Sequence, residues 1–188
     1  KEKMLLRVTC MVALAVACLS GVARGESITL YGDQDAAHEG TNANYSATFD
    51  YEAKGSTSGL LTVSITNLTT DPELGALTGF VFNCDVDGID VALKGAPTDW
   101  AFDDFTPPPG TPVFGDFAFG ASVDGDFIGG GSGTNGIMID DGPVMFTFMV
   151  TGAGAGSLAT ANFVQENELG FRMLARFKGV GPLGENSD

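Results

Sequence analysis

The chain has 188 residues, of which 24 are Asp or Glu and nine are Lys or Arg, so its formal net charge is −15 at pH 7. An acidic excess of this size repels the phosphate backbone, which excludes nucleic acid as the expected partner. A chain of this length normally forms one domain and buries about 70% of its unfolded surface, enough for a core of its own.

The first 25 residues have the pattern of a secretory signal peptide. A basic region around Met4 and Arg7 leads into the apolar run VTCMVALAVACL and then into the small residues SGVARG. The run is shorter than the about 20 residues that a transmembrane helix needs, and we expect cleavage before Glu26. The opening KEK is interpreted as upstream readthrough. Lipidation of Cys18 is an alternative, although Ala15 stands where a bulky aliphatic residue is usual.

Cleavage would leave a strongly acidic domain over residues 26–188. The leader holds four of the nine Lys and Arg residues and one of the 24 carboxylates, so the mature chain carries a formal charge of −18. Salt or divalent cations would relieve the resulting self-repulsion. Of the three cysteines only Cys84 remains, so no internal disulfide forms and stability must come from the core. We expect a secreted protein, extracellular or at the cell surface of a bacterium, without a transmembrane segment.

Alternation of apolar and polar residues recurs through the mature chain and predicts half-buried β-strands. In NYSATFDYE, for example, the side chains from Tyr45 to Tyr51 alternate between two faces. Further strands are predicted at ITLYG, GLLTVSITN, LTGFVFNCDV, IDVALK, FGDFAFGAS, GIMI, PVMFTFMVTG and GFRMLARFKG. Gly, Pro, Asp and Asn clusters separate them, and helical periodicity is confined to one short helix near residues 157–167. The predicted fold is all-β, a single antiparallel β-sandwich or jelly roll.

The residues for common catalytic sites are scarce. A Ser-His-Asp or Cys-His site needs a histidine, and the only one, His38, lies in the loop DAAHEG. Zinc needs three or four His or Cys ligands, which His38 and Cys84 do not supply. Cys84 alternates with phenylalanines and is expected to pack as a small hydrophobe. Carboxylate pairs such as Asp103 and Asp104 keep glycoside hydrolysis as a third hypothesis, although acidic residues are too numerous to single out a pair.

The segment DVDGID at residues 85–90 has the composition of a metal-binding loop. Its glycine comes fourth rather than sixth and no glutamate occupies the twelfth position, so it is not an EF-hand. Asp87 and Gly88 tolerate positive φ and lie between two alternating runs, so they predict a type I′ hairpin turn instead.

Trp100, in the segment DWAFDDF, is a candidate platform for stacking on a sugar ring. The alternative is that a lone tryptophan among fourteen phenylalanines covers the core or a loop. If the protein is a carbohydrate-binding module, Trp100 is expected to stand exposed beside polar groups.

The segment IGGGSGTNGIMIDDG contains a Gly-x-Gly-x-x-Gly spacing at Gly131, Gly133 and Gly136. A dinucleotide site needs a helix after these glycines, whereas IMIDDGPVMF predicts a strand, a turn and another strand. No Lys-Ser or Lys-Thr follows Gly136, so the segment is not a Walker A loop either. It is predicted to be a flexible connection between strands.

Acidic residues around this loop suggest calcium as a candidate ligand. Residues 130–138 fit a single copy of a nine-residue calcium repeat if Asn135 replaces its aspartate, although that repeat binds calcium only between stacked copies. Carboxylate and amide oxygens suit Ca²⁺, which takes six to eight of them. The candidate ligands are Asp124, Asp126, Asn135, Asp140 and Asp141.

The cations of the last predicted strand form a basic stripe on an acidic chain. Arg172, Arg176 and Lys178 alternate with Phe171, Met173, Ala175 and Phe177, so they share one face. The plain interpretation is cross-strand pairing with neighbouring Asp or Glu. The alternative is contact with the acidic face of another copy or with an anionic polysaccharide.

The order of segments over about residues 60–188 resembles a family of secreted bacterial proteins that often carry a C-terminal PEP-CTERM sorting signal. The similar pieces are ALTGFVFNCDVDG, FGDFAFGAS, the GGGSGTNG loop, MFTFMVTG and the ending LARFKGVGPLGENSD. The resemblance implies an exported β-sandwich of the envelope or matrix, handled by an exosortase-like system, with no defined enzymatic activity. No Pro-Glu-Pro, apolar helix and basic tail follow Asp188, so either the chain is cut short or the protein is released unanchored.

Together these features favour a non-enzymatic, exported β-sandwich of the cell surface or extracellular matrix, with Ca²⁺ as a candidate structural ligand. The alternative is a carbohydrate-binding module that acts on extracellular polysaccharide. The expected partners are therefore that polysaccharide or other copies of the chain.

Overall fold

A computed structural model describes residues 25–32, 41–70, 75–104, 110–111, 114–125, 127, 133–181, 184 and 186–187. These residues form two five-stranded antiparallel sheets packed face to face, which confirms the predicted all-β sandwich. The predicted leader and His38 lie outside the described residues.

The strands divide between a front sheet and a back sheet. In chain order they are β1 (Ile28–Tyr31), β2 (Tyr45–Gly55), β3 (Ser58–Asn67), β4 (Ala76–Phe82), β5 (Ile89–Gly95), β6 (Trp100–Asp104), β7 (Gly110–Thr111), β8 (Gly115–Asp116), β9 (Phe119–Val123), β10 (Val144–Gly152), β11 (Met173–Val180) and β12 (Asn186–Ser187). The front sheet has the order β1-β2-β3-β10-β5 and the back sheet the order β12-β11-β4-β9-β6. Strands β7 and β8 form a separate ribbon.

The core between the sheets consists of the side chains that the alternation places on one face. Tyr45 and Val144, at the ends of β2 and β10, are only partly buried. The other predicted inward positions of the central front strands are at most 1% exposed: Ala47, Phe49, Tyr51, Leu61, Val63, Ile65, Phe146, Phe148 and Val150. Phenylalanines of the two sheets meet edge to face, with ring centroids 5.6 Å apart for Phe49 and Phe82 and 4.8 Å apart for Phe80 and Phe146. Such pairs contribute about 0.5–1.5 kcal/mol each beyond their buried area.

Strand β4 differs from the half-buried strand that the alternation predicts. All seven of its residues are buried, and it ends at Phe82, before Cys84 and Val86. The cause is a second apolar cluster on the outer side of the back sheet, where Val81 packs with Phe117 and Phe127. Gly79 permits this packing, because a Cβ there would lie 2.8 Å from the Phe127 ring.

The turn predicted at Asp87 and Gly88 is present, but the predicted hairpin is wrong. Strands β4 and β5 belong to different sheets, so residues 83–88 cross from one layer of the sandwich to the other. Gly88 has φ of 75°, but Asp87 is not among the residues with positive φ, and a type I′ turn requires both.

The short helix predicted near residues 157–167 is also wrong. The segment forms two 3₁₀ turns, Ala155–Ser157 and Thr160–Phe163, and then a loop. Of the three apolar positions predicted for the helix, Phe163 is buried, Leu158 is partly buried and Ala161 is exposed. The backbone of the segment packs along strand β2 and does not form a continuous helix. None of the helices in the described residues has the length and apolar character needed to cross a bilayer.

This segment covers the part of strand β2 that the shorter strand β1 leaves unpaired. The Tyr51 amide donates to the Thr160 hydroxyl at 3.1 Å, and the Tyr51 hydroxyl donates to the Ala155 carbonyl at 2.6 Å. The Gly156 amide donates to the Ser56 carbonyl at the end of the strand. The backbone amide and carbonyl of Tyr51, beyond the pairing of β2 with β1, therefore have partners within the fold, the Thr160 hydroxyl and the Gly25 amide.

Asn67, only 2% exposed, joins the two sheets at one end of the sandwich. Its side-chain amide donates to the carbonyls of Gly75, 2.8 Å away, and Ile137, 2.9 Å away. Its side-chain oxygen accepts from the Thr69 amide at 3.0 Å. One side chain thus satisfies three backbone groups from three segments.

Candidate functional site

Trp100 belongs to the core and is not a platform for sugar. It is 8% exposed and packs edge to face on Phe146 with ring centroids 4.8 Å apart. Its indole N–H donates to the Asn135 carbonyl at 3.1 Å. The interpretation of Trp100 as a core residue is therefore confirmed, and the exposed Trp100 expected of a carbohydrate-binding module is not found, because both its ring and its polar atom are used inside the fold.

The described part of the glycine-rich segment does not introduce a helix. Gly133–Asn135 forms one 3₁₀ turn, and Ile137 then makes a single antiparallel bridge to Leu77 where a strand was predicted at GIMI. Gly136 is needed for close approach, since a Cβ there would lie 2.7 Å from the Leu77 carbonyl oxygen. Residues 137–152 then form the bridge, a 3₁₀ turn at Ile139–Asp141 and strand β10, so they supply no helix N-terminus for a phosphate.

Two of the five calcium candidates are connected through Trp100. Asp124 directly follows Val123, the residue of β9 that pairs with Trp100 of β6. On the other side, the Asn135 carbonyl accepts the hydrogen bond of the Trp100 indole. The Asp124 amide donates to the Asp99 carbonyl at 2.8 Å, and both aspartates have positive φ, 61° and 70°. Asp124 and Asn135 are exposed.

Of the other calcium candidates, one caps a local turn, one is exposed beside it and one lies outside the described residues. The Asp141 carboxylate accepts from the Met138 amide at 2.7 Å, and Asp140 beside it is exposed. Asp126 lies outside the described residues. Among the residues that the structure describes, no three His, Cys, Asp or Glu side chains are grouped so that they could hold a metal ion.

The three predicted basic residues have internal contacts. Arg172 lies one residue before β11 and bonds to Glu166 in the preceding loop, with N–O distances of 3.2 and 3.0 Å. Arg176, within the strand, donates to the Phe127 carbonyl over the second apolar cluster. Lys178 follows two residues later, opposite Ala76 of β4 and Ser187 of β12. The stripe is thus shorter than predicted, and the acidic partner of Arg172 comes from a loop rather than from a neighbouring strand.

Cys84 is partly buried against the main core, as expected of a small hydrophobe. Burial raises the pKa of its thiol to about 11, so the thiol stays protonated at neutral pH. A protonated thiol is a poor nucleophile and a poor metal ligand, which agrees with a packing role.

The outer side of the front sheet presents a surface that the sequence reasoning did not single out. We call it the hydroxyl face; its members are Ser27, Thr29, Tyr31, Ser46, Thr48, Thr62, Ser64, Thr66 and Thr147. The signal was present in the outward positions of the alternating segments, which are mostly Ser and Thr in β3, whereas in β2 Ser46 and Thr48 are followed by charged residues. Period-2 reasoning uses those positions only to define the inward face.

Strand register arranges these hydroxyls in rows across the sheet. One row runs from Tyr31 through Ser46 to Thr66, and the next from Thr29 through Thr48 to Ser64 and Met145. Rows in a sheet are separated by about 6.7 Å along the strands, and neighbours within a row by about 4.8 Å. The result is a grid of short polar side chains.

Some of the hydroxyls are held by one another. The Thr29 and Thr48 hydroxyl oxygens lie 2.9 Å apart, and the Ser27 hydroxyl donates to the Asp50 carboxylate at 2.8 Å. Met145 and Tyr31, at two borders of the grid, are 66% and 70% exposed. The face is therefore open to solvent, in contrast to the outer side of the back sheet, which Phe117 and Phe127 cover.

The fold and this face define the chain as a two-layer β-sandwich with one open, hydroxyl-rich sheet face. Comparisons with protein-family models, with curated proteins and with solved structures find no match to it. Its function is therefore inferred from its own residues.

Proposed function

We propose that this chain is a non-enzymatic, exported β-sandwich protein that makes contacts in the cell surface or extracellular matrix. The observation that carries the proposal is the hydroxyl face, an open surface on an otherwise acidic chain. Ligand and substrate sites for small molecules are usually concave clefts, whereas an open sheet face suits contact with an extended partner.

Three further features support this function. The leader has the order of regions found in signal peptides, and the acidic charge keeps copies apart in solution. Trp100 and the core phenylalanines pack between the sheets, where they stabilise the fold and do not form a reactive site. The segments similar to PEP-CTERM proteins favour handling by an exosortase-like system.

Export is tested by producing the full chain in a Gram-negative host and analysing its N-terminus by mass spectrometry. We expect the extracytoplasmic protein to begin at Glu26. A matched variant that lacks the apolar run, residues 8–19, should stay in the cytoplasm. A lipid-modified N-terminus at Cys18 would support the lipoprotein alternative, and cytoplasmic retention of the intact chain would contradict export.

Calcium binding by the acidic loops is part of the proposal and predicts a thermal shift. At a concentration 100 times its dissociation constant, Ca²⁺ should add about 2.7 kcal/mol to the free energy of unfolding. For a domain of this size that raises the melting temperature by about 5–10 °C. Asp124→Asn with Asp140→Asn should reduce the shift, and NaCl at equal ionic strength is the control for screening. An equal rise with NaCl, or no rise with Ca²⁺, would contradict calcium binding.

A further inference from the structure

We propose that the hydroxyl face binds an uncharged polysaccharide, with Tyr31 as its stacking residue. This inference rests on the proposed function and deepens it by naming a partner class and a site. It uses a different surface from the buried Trp100, so it does not depend on the rejected sugar platform.

The charge distribution selects an uncharged ligand. The chain has a net charge of −15, which repels anionic polymers at long range, and a cationic polymer would be drawn to the exposed acidic loops. The hydroxyl face holds neutral side chains around one carboxylate, that of Asp50, which already accepts from Ser27. The next carboxylate on the same side of β2, that of Glu52, is paired with Lys54 at 2.6 Å. A neutral, hydroxyl-bearing polymer bound to this face would not remove water from a charged group that lacks a partner.

The side chains of the face have the chemistry that sugar hydroxyls need. A Ser or Thr hydroxyl has one donor hydrogen and two acceptor lone pairs, as a sugar hydroxyl does, so each can act in either role. The rows repeat this group across β1, β2 and β3, which suits a polymer whose hydroxyls also repeat.

Binding to this face costs little conformational entropy. Ser and Thr have few rotamers to lose, unlike the Lys and Glu side chains common on exposed sheets. The mutual contacts of Thr29 with Thr48 and of Ser27 with Asp50 fix part of the grid before a ligand arrives. Preorganisation of this kind increases affinity without adding contacts.

Tyr31 supplies the apolar contact. Its side chain points to the same side as Thr29 at the sheet border and is 70% exposed, so its ring is available to the C–H face of a sugar. An amphipathic aromatic side chain of this kind offers a large contact area at a small entropic cost.

The charge of the chain argues against a second copy as the occupant. Two copies would bring like charges of −15 together.

The test is a binding assay of the mature domain against four polysaccharides: dextran and mixed-linkage β-glucan, which are uncharged, alginate, which is anionic, and chitosan, which is cationic. We expect affinity for an uncharged polymer. Thr48→Arg with Thr62→Arg should weaken it at least 10-fold, and Tyr31→Ala should weaken it about 10-fold. Thr57→Arg, in the exposed β2–β3 turn away from the face, is the matched control and should change nothing.

Melting curves of each variant check that the fold is intact, and sedimentation checks the oligomeric state. Binding only to alginate or chitosan, equal binding by the face variants, or loss of self-association in place of glycan binding would each overturn the inference. If the domain binds no uncharged polymer but is still exported and found in the matrix fraction, this inference fails while the proposed function stands.

Discussion

Phe80→Ala is expected to lower the free energy of unfolding by about 3–5 kcal/mol, the range for a large aromatic removed from a packed core. Phe80 is fully buried and its ring contacts those of Phe82, Trp100, Phe146 and Phe148. It thus connects the back sheet to the front sheet, and its removal leaves a cavity that four rigid rings cannot easily fill.

Urea unfolding monitored by tryptophan fluorescence measures this change, because the reporter Trp100 is itself in contact with Phe80. Tyr31→Ala, which removes an exposed ring, is the control and should cost less than about 0.5 kcal/mol. A loss below about 1.5 kcal/mol for Phe80→Ala would mean that the core between the sheets is not packed as described.

Asn67→Ala is expected to destabilise the protein by about 2 kcal/mol or more. The substitution leaves the Gly75 carbonyl and the Thr69 amide without their side-chain partner, and each such buried group costs about 1–3 kcal/mol, whereas the Ile137 carbonyl keeps its bond from the Leu77 amide at 3.0 Å. The loss should be largest at the sheet end where β3, β4 and the Ile137 bridge meet.

Equilibrium unfolding of Asn162→Ala provides the matched comparison. Asn162 is only partly buried and its side-chain oxygen accepts one bond, from the Ala159 amide at 2.8 Å, so its loss should cost about 0.5–1.5 kcal/mol. Equal effects of the two substitutions would contradict a joining role for Asn67.

Alternation was sufficient to predict the front sheet. In β2, β3 and β10 one face meets the core and the other meets solvent, so the period-2 pattern of residues such as Phe49 and Val63 corresponds directly to burial. It failed at β4, which is covered on both sides. The covering residues Phe117 and Phe127 come from a distant part of the chain, so nothing near β4 in sequence marks its second buried face.

The two wrong local predictions have the same origin. Asp87-Gly88 has the composition of a hairpin turn, and residues 157–167 have some helical spacing. The conformation of each segment is nevertheless set by contacts with parts of the chain that are distant in sequence. Residues 83–88 must cross between the sheets, and residues 155–163 must cover strand β2. Tertiary contacts overrode local propensity in both cases.

The candidate site was harder to predict than the fold. Residue type suggested Trp100 as a sugar-binding residue and Asp124 as a calcium ligand. The tryptophan is buried, and the described acidic side chains do not form a group that could hold a metal ion. The hydroxyl face consists of residue types with no catalytic or metal-binding signature. Only the register of β1, β2, β3 and β10, which is not readable from one sequence, places them side by side.

The cover that residues 155–163 provide over strand β2 also bears on how the protein avoids fibre formation. An uncovered sheet border is a template on which identical chains can stack into amyloid-like ribbons, and the eleven-residue β2 would be a long one. Thr160 and the neighbouring turns occupy part of that border, and β1 occupies another part while exposing only four residues of its own. The border of β2 is thus protected from pairing with the same border of another copy.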